Sequence, residues 1–300
     1  MKPTLFVTYE DLKTLKDNFS IKAVILSLLV VGFLPYVILG RFDGIGSQIT
    51  HPIAVLLIMM QLLIPYLAMR ASYKSISGEI KRNNHRLLLT FPISRFNLLV
   101  GKWISRSIAT AVAIVIHIAV SVITSNVFYK GMNIQDVVWI TIMTILLGSV
   151  FCAIGVAVSC ITDADSIIPD LLVTIVYAPV VFFWRLIPVI FKFLIEGGGV
   201  DNLPEPDYTG FDYLILRLNP LESYSSLVSW GVSSDINILI PSSLRLPDVN
   251  AGRIITYSST PLEPSSVPVY AQEFVTITLS LLIPFLITMY GYWKLKNREL

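Results

Sequence analysis

Side chains that could take part in chemistry are concentrated in one stretch, Ser75–Arg106, which joins the second and third apolar segments of the chain. In a sequence with few charges, this stretch gathers a group of bases: Lys81, Arg82, Arg86, Arg95, Lys102 and Arg106. Bases grouped on a short segment at a membrane face favour a docking surface for a second protein. The alternative is a charged loop that only sets the orientation of the chain in the membrane.

A polar or charged group inside an apolar segment is costly and therefore marks candidate function. Asp170 and Arg185 belong to the fifth segment and His117 to the third. Asp170 and Arg185 are about 22 Å apart along a continuous helix, which is too far for them to pair with each other. We consider all three as candidates for lining a substrate path. Alternatively, Asp170 faces interfacial water, Arg185 extends to the outer headgroups, and His117 is a hydrogen-bonded packing residue.

Catalytic and nucleotide-binding patterns are missing from the sequence. A phosphate-binding loop requires G-x-x-x-x-G-K-[ST], but Gly101-Lys102 has Phe96 at the first glycine position and Trp103 at the Ser/Thr position. Neither H-E-x-x-H nor G-x-S-x-G occurs, and the three histidines have no metal-ligand spacing. We therefore predict no catalytic residue, no metal site and no ATP site on this chain.

Composition indicates an integral membrane protein. Hydrophobic residues make up 54% of the chain, charged residues 14%, and the mean hydropathy is +0.72, whereas soluble domains carry roughly 25% charged residues. The net charge of +2 is too small to indicate nucleic-acid binding. Cys152 and Cys160 both fall in an apolar segment, where packing is their expected role.

Six apolar segments are long enough to cross a membrane, because about 20 residues in a helix span its hydrocarbon core. The first is also longer than the core of a cleavable signal peptide. The predicted fold is therefore an all-α polytopic membrane protein with the spans Ile21–Gly40, Pro52–Ala71, Ile104–Val127, Val137–Ile161, Ile167–Phe191 and Phe274–Trp293.

Orientation follows from the positions of Lys and Arg, which accumulate on the cytoplasmic side. Bases are frequent in residues 1–22, in the loop 72–103 and after Trp293, and scarce in the loops on the other side. Both termini and the basic loop are therefore predicted to be cytoplasmic, in a multi-pass protein of the cell membrane. A long segment, residues 192–273, is then extracytoplasmic.

Two flanking segments have their own patterns. In the arm formed by residues 1–20, Leu12, Leu15 and Phe19 have helical spacing, which predicts an amphipathic helix in the membrane interface; a solvated leader is the alternative. The first part of the outer segment, residues 211–230, is also amphipathic, and we expect it to rest on the outer membrane surface. Its later part is rich in Pro and Ser and is predicted to be extended.

Within the basic loop, Ile76, Ile80 and Leu88 predict a short amphipathic helix. Pro92 would end that helix, and Ser94 is placed to cap the next one. Such a helix lying across the membrane face can seat in a groove of a soluble partner.

The run from Gly78 to Lys102 resembles the coupling segment of the type-2 ATP-binding-cassette (ABC) transporter permease family. That pattern consists of Gly-Glu, several polar residues, Leu-Leu, Pro-x-Ser-Arg and Gly-Lys. The matching positions, with the two arginines between them, are Gly78, Glu79, Arg82, Arg86, Leu87, Leu88, Pro92, Ser94, Arg95, Gly101 and Lys102. The span number, the N-terminal arm, Leu218–Leu221 and the basic tail also resemble the family, whereas the outer segment is longer than expected for it.

The resemblance implies that residues 21–300 form a six-helix permease domain, in an exporter driven by a separate ABC ATPase. It implies a second permease copy or paralogue as partner, with membrane lipids around both, no nucleic acid, and ATP and Mg bound by the ATPase only. Two alternatives remain: a membrane scaffold or assembly factor that uses the same ATPase, and an intramembrane enzyme, which the missing catalytic patterns disfavour.

Overall fold

The computed structural model describes residues 3–15, 26, 28–30, 32–37, 52–81, 94–128, 132–162, 168–180, 184, 187, 218–232 and 273–297. Every regular element within these ranges is a helix, in agreement with the predicted all-α class. In chain order the helices are α1 (Pro3–Leu15), α2 (Pro52–Ser72), α3 (Ser77–Lys81), α4 (Arg95–Phe128), α5 (Ile134–Ile161), α6 (Ile168–Ala178), α7 (Pro220–Gly231) and α8 (Glu273–Asn297). Helical turns also occur within Leu28–Val37.

Three stretches of the described chain have the length and apolar composition needed to cross a membrane: Val55–Ile80, Arg95–Phe128 and Ile134–Ile161. They correspond to the second, third and fourth predicted spans. Of the first predicted span the structure describes turns within Leu28–Val37, and of the fifth the helix α6. The sixth corresponds to α8, which continues to Asn297 instead of ending at Trp293. The number of six spans stays a prediction.

Side-chain caps explain where the long helices begin. α4 starts at Arg95, well before the predicted Ile104, because the Ser94 hydroxyl accepts a hydrogen bond from the backbone N–H of Asn97 at 3.2 Å. The predicted capping role of Ser94 is thus confirmed. α5 starts at Ile134 because the side chain of Asn133 accepts from the N–H of Gln135 at 3.0 Å.

Helix α5 is the centre of the described bundle, since α2, α4, α6, α7 and α8 all pack against it. Small residues make the closest of these contacts. A Cβ added at Gly155 would lie 2.7 Å from the carbonyl oxygen of Met69 in α2, and one at Gly291 of α8 would lie 2.9 Å from the Cα of Ala157. Close backbone approach at small residues is a main source of helix association in lipid, where the hydrophobic effect does not drive helices together.

Helix α7, which belongs to the segment predicted to be extracytoplasmic, packs into the bundle. The side chain of Asn219 caps its start by accepting from the N–H of Leu221 at 3.0 Å. Leu221 and Tyr224 are buried in the main hydrophobic core, and the Tyr224 hydroxyl lies 3.0 Å from that of Thr144 in α5. The apolar face of α7 thus packs against α5, and the expectation that residues 211–230 rest on the membrane surface stays a prediction.

Substitution of Gly155 by Ala is expected to destabilise the bundle, because the new methyl group meets backbone and Cβ atoms of α2 at 2.7–2.8 Å. Such overpacking typically costs about 1–3 kcal/mol. Cys152 and Cys160 are buried thiols outside any disulfide, so a thiol-reactive fluorophore reports unfolding during a thermal ramp in detergent. We expect an earlier transition for Gly155→Ala.

The control is Gly78→Ala, whose added Cβ has Lys74 Cβ as its nearest neighbour at 3.9 Å. Both variants add one methyl group to a helix, so only the difference in space separates them. Equal transition temperatures for the two variants would contradict the role assigned to the α2–α5 contact.

Candidate functional site

A group of ionised side chains lies where α1 crosses the start of α4. Its centre is Asp11 of α1, whose side chain is 1% exposed. One carboxylate oxygen of Asp11 accepts from Lys102 Nζ at 2.6 Å and from Arg106 Nη2 at 3.1 Å. The Ser105 hydroxyl donates to the other oxygen. A buried carboxylate with this many donors meets the requirement that buried charge be paired and hydrogen-bonded.

The two cations also reach other elements. Lys102 Nζ forms a second ion pair with Glu79 of α3, whose side chain is 25% exposed. Arg106 Nη1 donates to the backbone oxygen of Ala71, near the end of α2, at 3.1 Å. The cluster Asp11–Glu79–Lys102–Arg106, called the charge cluster below, therefore joins α1, α2, α3 and α4.

Electrostatics keep Asp11 ionised. Burial alone would raise the pKa of its carboxyl group, but the charges of Arg106 and Lys102, together with hydrogen bonds from Lys102 and Ser105, hold the pKa below its ordinary value. Two acids and two bases then balance one another within the cluster.

Close packing fixes α1 on α4 beside these charges. A Cβ at Gly101 would lie 2.7 Å from the side chain of Val7, so only glycine allows this approach. Thr8 Oγ1 donates to the backbone oxygen of Gly101 at 3.3 Å. Both members of the Gly101-Lys102 pair thus serve the contact with α1.

The predicted amphipathic arm is helical from Pro3 to Leu15, and its position in the membrane interface stays a prediction. Val7, Thr8 and Asp11 are buried, whereas Leu12 is only half-buried. Phe19 lies outside the described residues. The helix is held by its own Asp11 carboxylate, which accepts from Lys102, Ser105 and Arg106 of α4, and its exposed side carries Leu5 and Tyr9.

Helix α3 rests on the end of α5. Ser159 Oγ accepts from the backbone N–H groups of Ile76 and Ser77 at 2.8 and 3.0 Å, so it occupies donors that the start of α3 would otherwise leave free. A small hydrophobic cluster below it includes Ile76, Leu99 and Leu295. The first turn after α2 is therefore anchored to the bundle.

Arg95 is half-buried and makes hydrogen bonds to another helix. Its guanidinium donates to the backbone oxygens of Leu295, at 2.8 Å, and of Lys296. These carbonyls belong to the last turn of α8, where backbone oxygens lack an intrahelical donor. A cation there donates to them and interacts favourably with the negative end of the helix dipole. Arg95 thereby joins the start of α4 to the end of α8.

The predicted coupling residues thus fall into three groups. Gly78 and Glu79 lie on α3, while Ser94, Arg95, Gly101 and Lys102 form the start of α4 and make internal contacts. The remaining five lie outside the described residues: Arg82, Arg86, Leu87, Leu88 and Pro92. Their coupling role stays a prediction.

The substrate-path candidates make separate contacts. Asp170 of α6 pairs with Arg70 and, at 3.2 Å, with Lys74, both near the end of α2. His117 Nδ1 lies 2.5 Å from the backbone oxygen of Leu28 in the first apolar segment. Arg185 lies outside the described residues. A substrate-lining role for these three also stays a prediction.

Sequence reasoning missed Asp11 and the cations near Asp170. The available signal for Asp11 was its spacing from Thr4, Val7 and Thr8, which places all four on one helix face. An acid on that face predicts a basic partner, and Lys102 supplies it. In the described ranges, no group of three or more His, Cys, Asp or Glu side chains is placed to hold a metal ion.

Comparison with known proteins identifies the chain's family. Residues 6–300 match the family model described as ABC-2 family transporter protein. The chain belongs to the ABC-2 transporter family. The resemblance seen in the coupling segment is therefore confirmed, and the protein is membrane-embedded.

One relative of this ABC-2 chain is the "Probable ABC transporter permease protein NosY" of Stutzerimonas stutzeri. The two are 28% identical over 117 residues, which cover 38% of this chain and 42% of that relative. The match thus spans less than half of either protein.

Substitution Asp11→Asn is expected to loosen α1 in this ABC-2 protein, because it leaves Lys102 and Arg106 buried with Glu79 as their remaining acidic partner in the cluster. Breaking a buried ion pair costs roughly 3–5 kcal/mol. The expected results are a lower thermal transition and faster proteolysis within α1. Glu10→Gln is the matched control: it removes a neighbouring acid that is half-buried, and it should leave both measurements near wild type.

The loss of stability caused by Asp11→Asn should also have a defined pH dependence. Because the folded pKa of Asp11 lies below the ordinary value of 3.8, its contribution is fully present above pH 3.8 and is lost as pH falls through the folded pKa. The difference between wild type and Asp11→Asn should therefore be the same at pH 7 and pH 5. A difference that already disappears at pH 5 would contradict an ionised Asp11 with a lowered pKa.

Proposed function

We propose that this ABC-2 family chain is the permease subunit of an ATP-driven transporter. It would cross the membrane six times and be driven by a separate ABC ATPase docked on the segment 72–103. The observation that supports this best is the attachment of α3. This short helix carries Glu79 of the predicted docking segment, and the ion pair with Lys102 links it directly to α4 and α1. Displacement of α3 by a partner would therefore act directly on α4 and α1 through this ion pair.

The energy source in this proposal is the partner. The sequence has no phosphate-binding loop, so ATP and Mg would bind to the ATPase and not to this chain. ATP-driven closure of two ATPase subunits would displace the docking segments. The spans would then change between inward-facing and outward-facing arrangements.

The proposed orientation places both termini and the segment 72–103 in the cytoplasm of a multi-pass membrane protein. A single cysteine introduced at Lys13, which is exposed on α1, or at Arg86 should react with a membrane-impermeant maleimide only after the membrane is opened. A cysteine at Ser243 in the outer segment should react in intact cells. Labelling of residue 86 in intact cells would invalidate the orientation.

Export, pairing with a second permease copy or paralogue, and contact with lipids complete the proposal. Large exposed apolar side chains on α4 and α8 support contact with lipid or with a second permease, since an exposed apolar surface of this extent is unfavourable in water. Examples are Val112 and Ile123 on α4, and Phe285 and Leu286 on α8. Asp170, Arg185 and His117 remain the proposed substrate-path residues.

A membrane scaffold or assembly factor is the second candidate. The observation that favours it is the firm attachment of α7 to α5, through Tyr224 and through Trp139 Nε1, which donates to the backbone oxygen of Leu227 at 2.9 Å. Movement of α5 would then pass to the outer segment. Both candidates bind an ATPase, but only a transporter moves a solute across sealed vesicles.

Charge reversal at Arg82 and Arg86 should weaken binding of the ATPase, because it inverts the charge of the predicted docking surface. The measurement is copurification of the ATPase with the tagged permease from solubilised membranes. We expect a several-fold loss for Arg82→Glu with Arg86→Glu.

The matched control reverses two other cations, Lys294→Glu with Lys296→Glu, which are exposed in the last turn of α8. The control variant should retain the ATPase. Undiminished copurification with the variant at Arg82 and Arg86 would count against docking at this segment.

A further inference from the structure

Lys102 occupies a position between two acids on different elements. Its ammonium group contacts Asp11 of α1 at 2.6 Å and also pairs with Glu79 of α3, while its own side chain is 2% exposed. Because Lys102 belongs to α4, it is the direct ionic connection among these three helices in the described part of the chain.

We propose that Lys102 transfers displacement of α3 to α1 and α4, so that the N-terminal helix is a moving part of the transport cycle. The proposal rests on the permease function proposed above and deepens it. Lys102 and Glu79 are positioning residues in this scheme, and Asp11 is the fixed anchor.

The two ion pairs of Lys102 differ in their surroundings. Asp11 is nine-tenths or more buried and also binds Arg106 and Ser105, so releasing Lys102 from it would leave charge uncompensated in the interior. Glu79 is partly exposed and lies on a helix of five residues. A partner that moves α3 therefore acts on the Glu79–Lys102 pair, whereas the Asp11–Lys102 pair persists.

Steric contacts then make α1 follow α4. Val7 fits against Gly101 with no space for a Cβ, and Thr4 Oγ1 donates to Asn97 Oδ1 at 3.2 Å. The hydrogen bond from Arg106 to the backbone oxygen of Ala71 also connects the end of α2 to α4. Displacement of Lys102 by α3 would consequently tilt the start of α4 and carry α1 with it, relative to the central helix α5.

The test measures the distance between α1 and α5 in the complex with its ATPase, in lipid nanodiscs. Spin labels are placed at Lys13 and at Val138, which are exposed on α1 and α5, and labelled copies are diluted with unlabelled ones. Double electron–electron resonance is recorded without nucleotide and with ATP and Mg trapped by vanadate. For the unmodified charge cluster, we expect trapping to shift the distance distribution.

Glu79→Gln should abolish this shift in complexes that contain the ATPase, isolated by a tag on the ATPase, while the thermal transition stays near that of wild type, since Lys102 keeps Asp11. Glu79→Asp should retain part of the shift, because the charge is preserved. Glu10→Gln on α1 should retain all of it.

A full shift in Glu79→Gln, or no shift with the unmodified cluster, would overturn the proposal. Failure of the ATPase to copurify with the unmodified chain would instead overturn the proposed function on which it rests. The copurification result thus separates the two failures.

Discussion

The buried carboxylate of Asp11 is the interaction on which the rest of the described assembly depends. Without it, Lys102 and Arg106 would be two cations at the start of a long apolar helix with one partly exposed acid between them. Removing cations of this kind from water is costly, and the cost is offset only where geometry and hydrogen bonds are good. Asp11 meets this condition, and it thereby fixes α1 on the first turns of α4 and holds Lys102 where it also pairs with Glu79 of α3.

Features that depend on apolar length or on neighbouring residues could be predicted from the sequence. The all-α class and the second to fourth spans follow from apolar length alone, since lipid leaves few other ways to satisfy the backbone. The start of α4 follows from local chemistry at Ser94, whose cap was predicted although its effect on the length of the helix was not. Such a feature depends only on residues that are adjacent in the chain, so a single sequence is enough to predict it.

The contacts that define the site could not be predicted in this way. Asp11 and Lys102 are 91 positions apart, and Ile76 and Ser159 are 83 apart. A single sequence gives no information on which distant residues meet. The basic loop therefore suggested a surface of exposed cations, whereas Arg95, Lys102 and Arg106 all make internal contacts. The contact of α7 with α5 could not be predicted for a similar reason, because an apolar helix face can pack on lipid or on another helix.

The contact between Arg95 and the end of α8 also sets the order in which contacts can form during synthesis. Arg95 and Leu295 are separated by 200 positions, which ribosomes translate in roughly 10–40 s at 5–20 residues per second. Asp11 and Lys102 are both synthesised well before that interval ends. The hydrogen bonds from Arg95 to the last turn of α8 therefore require nearly the whole chain, whereas the contact of Asp11 with Lys102 requires only about its first third.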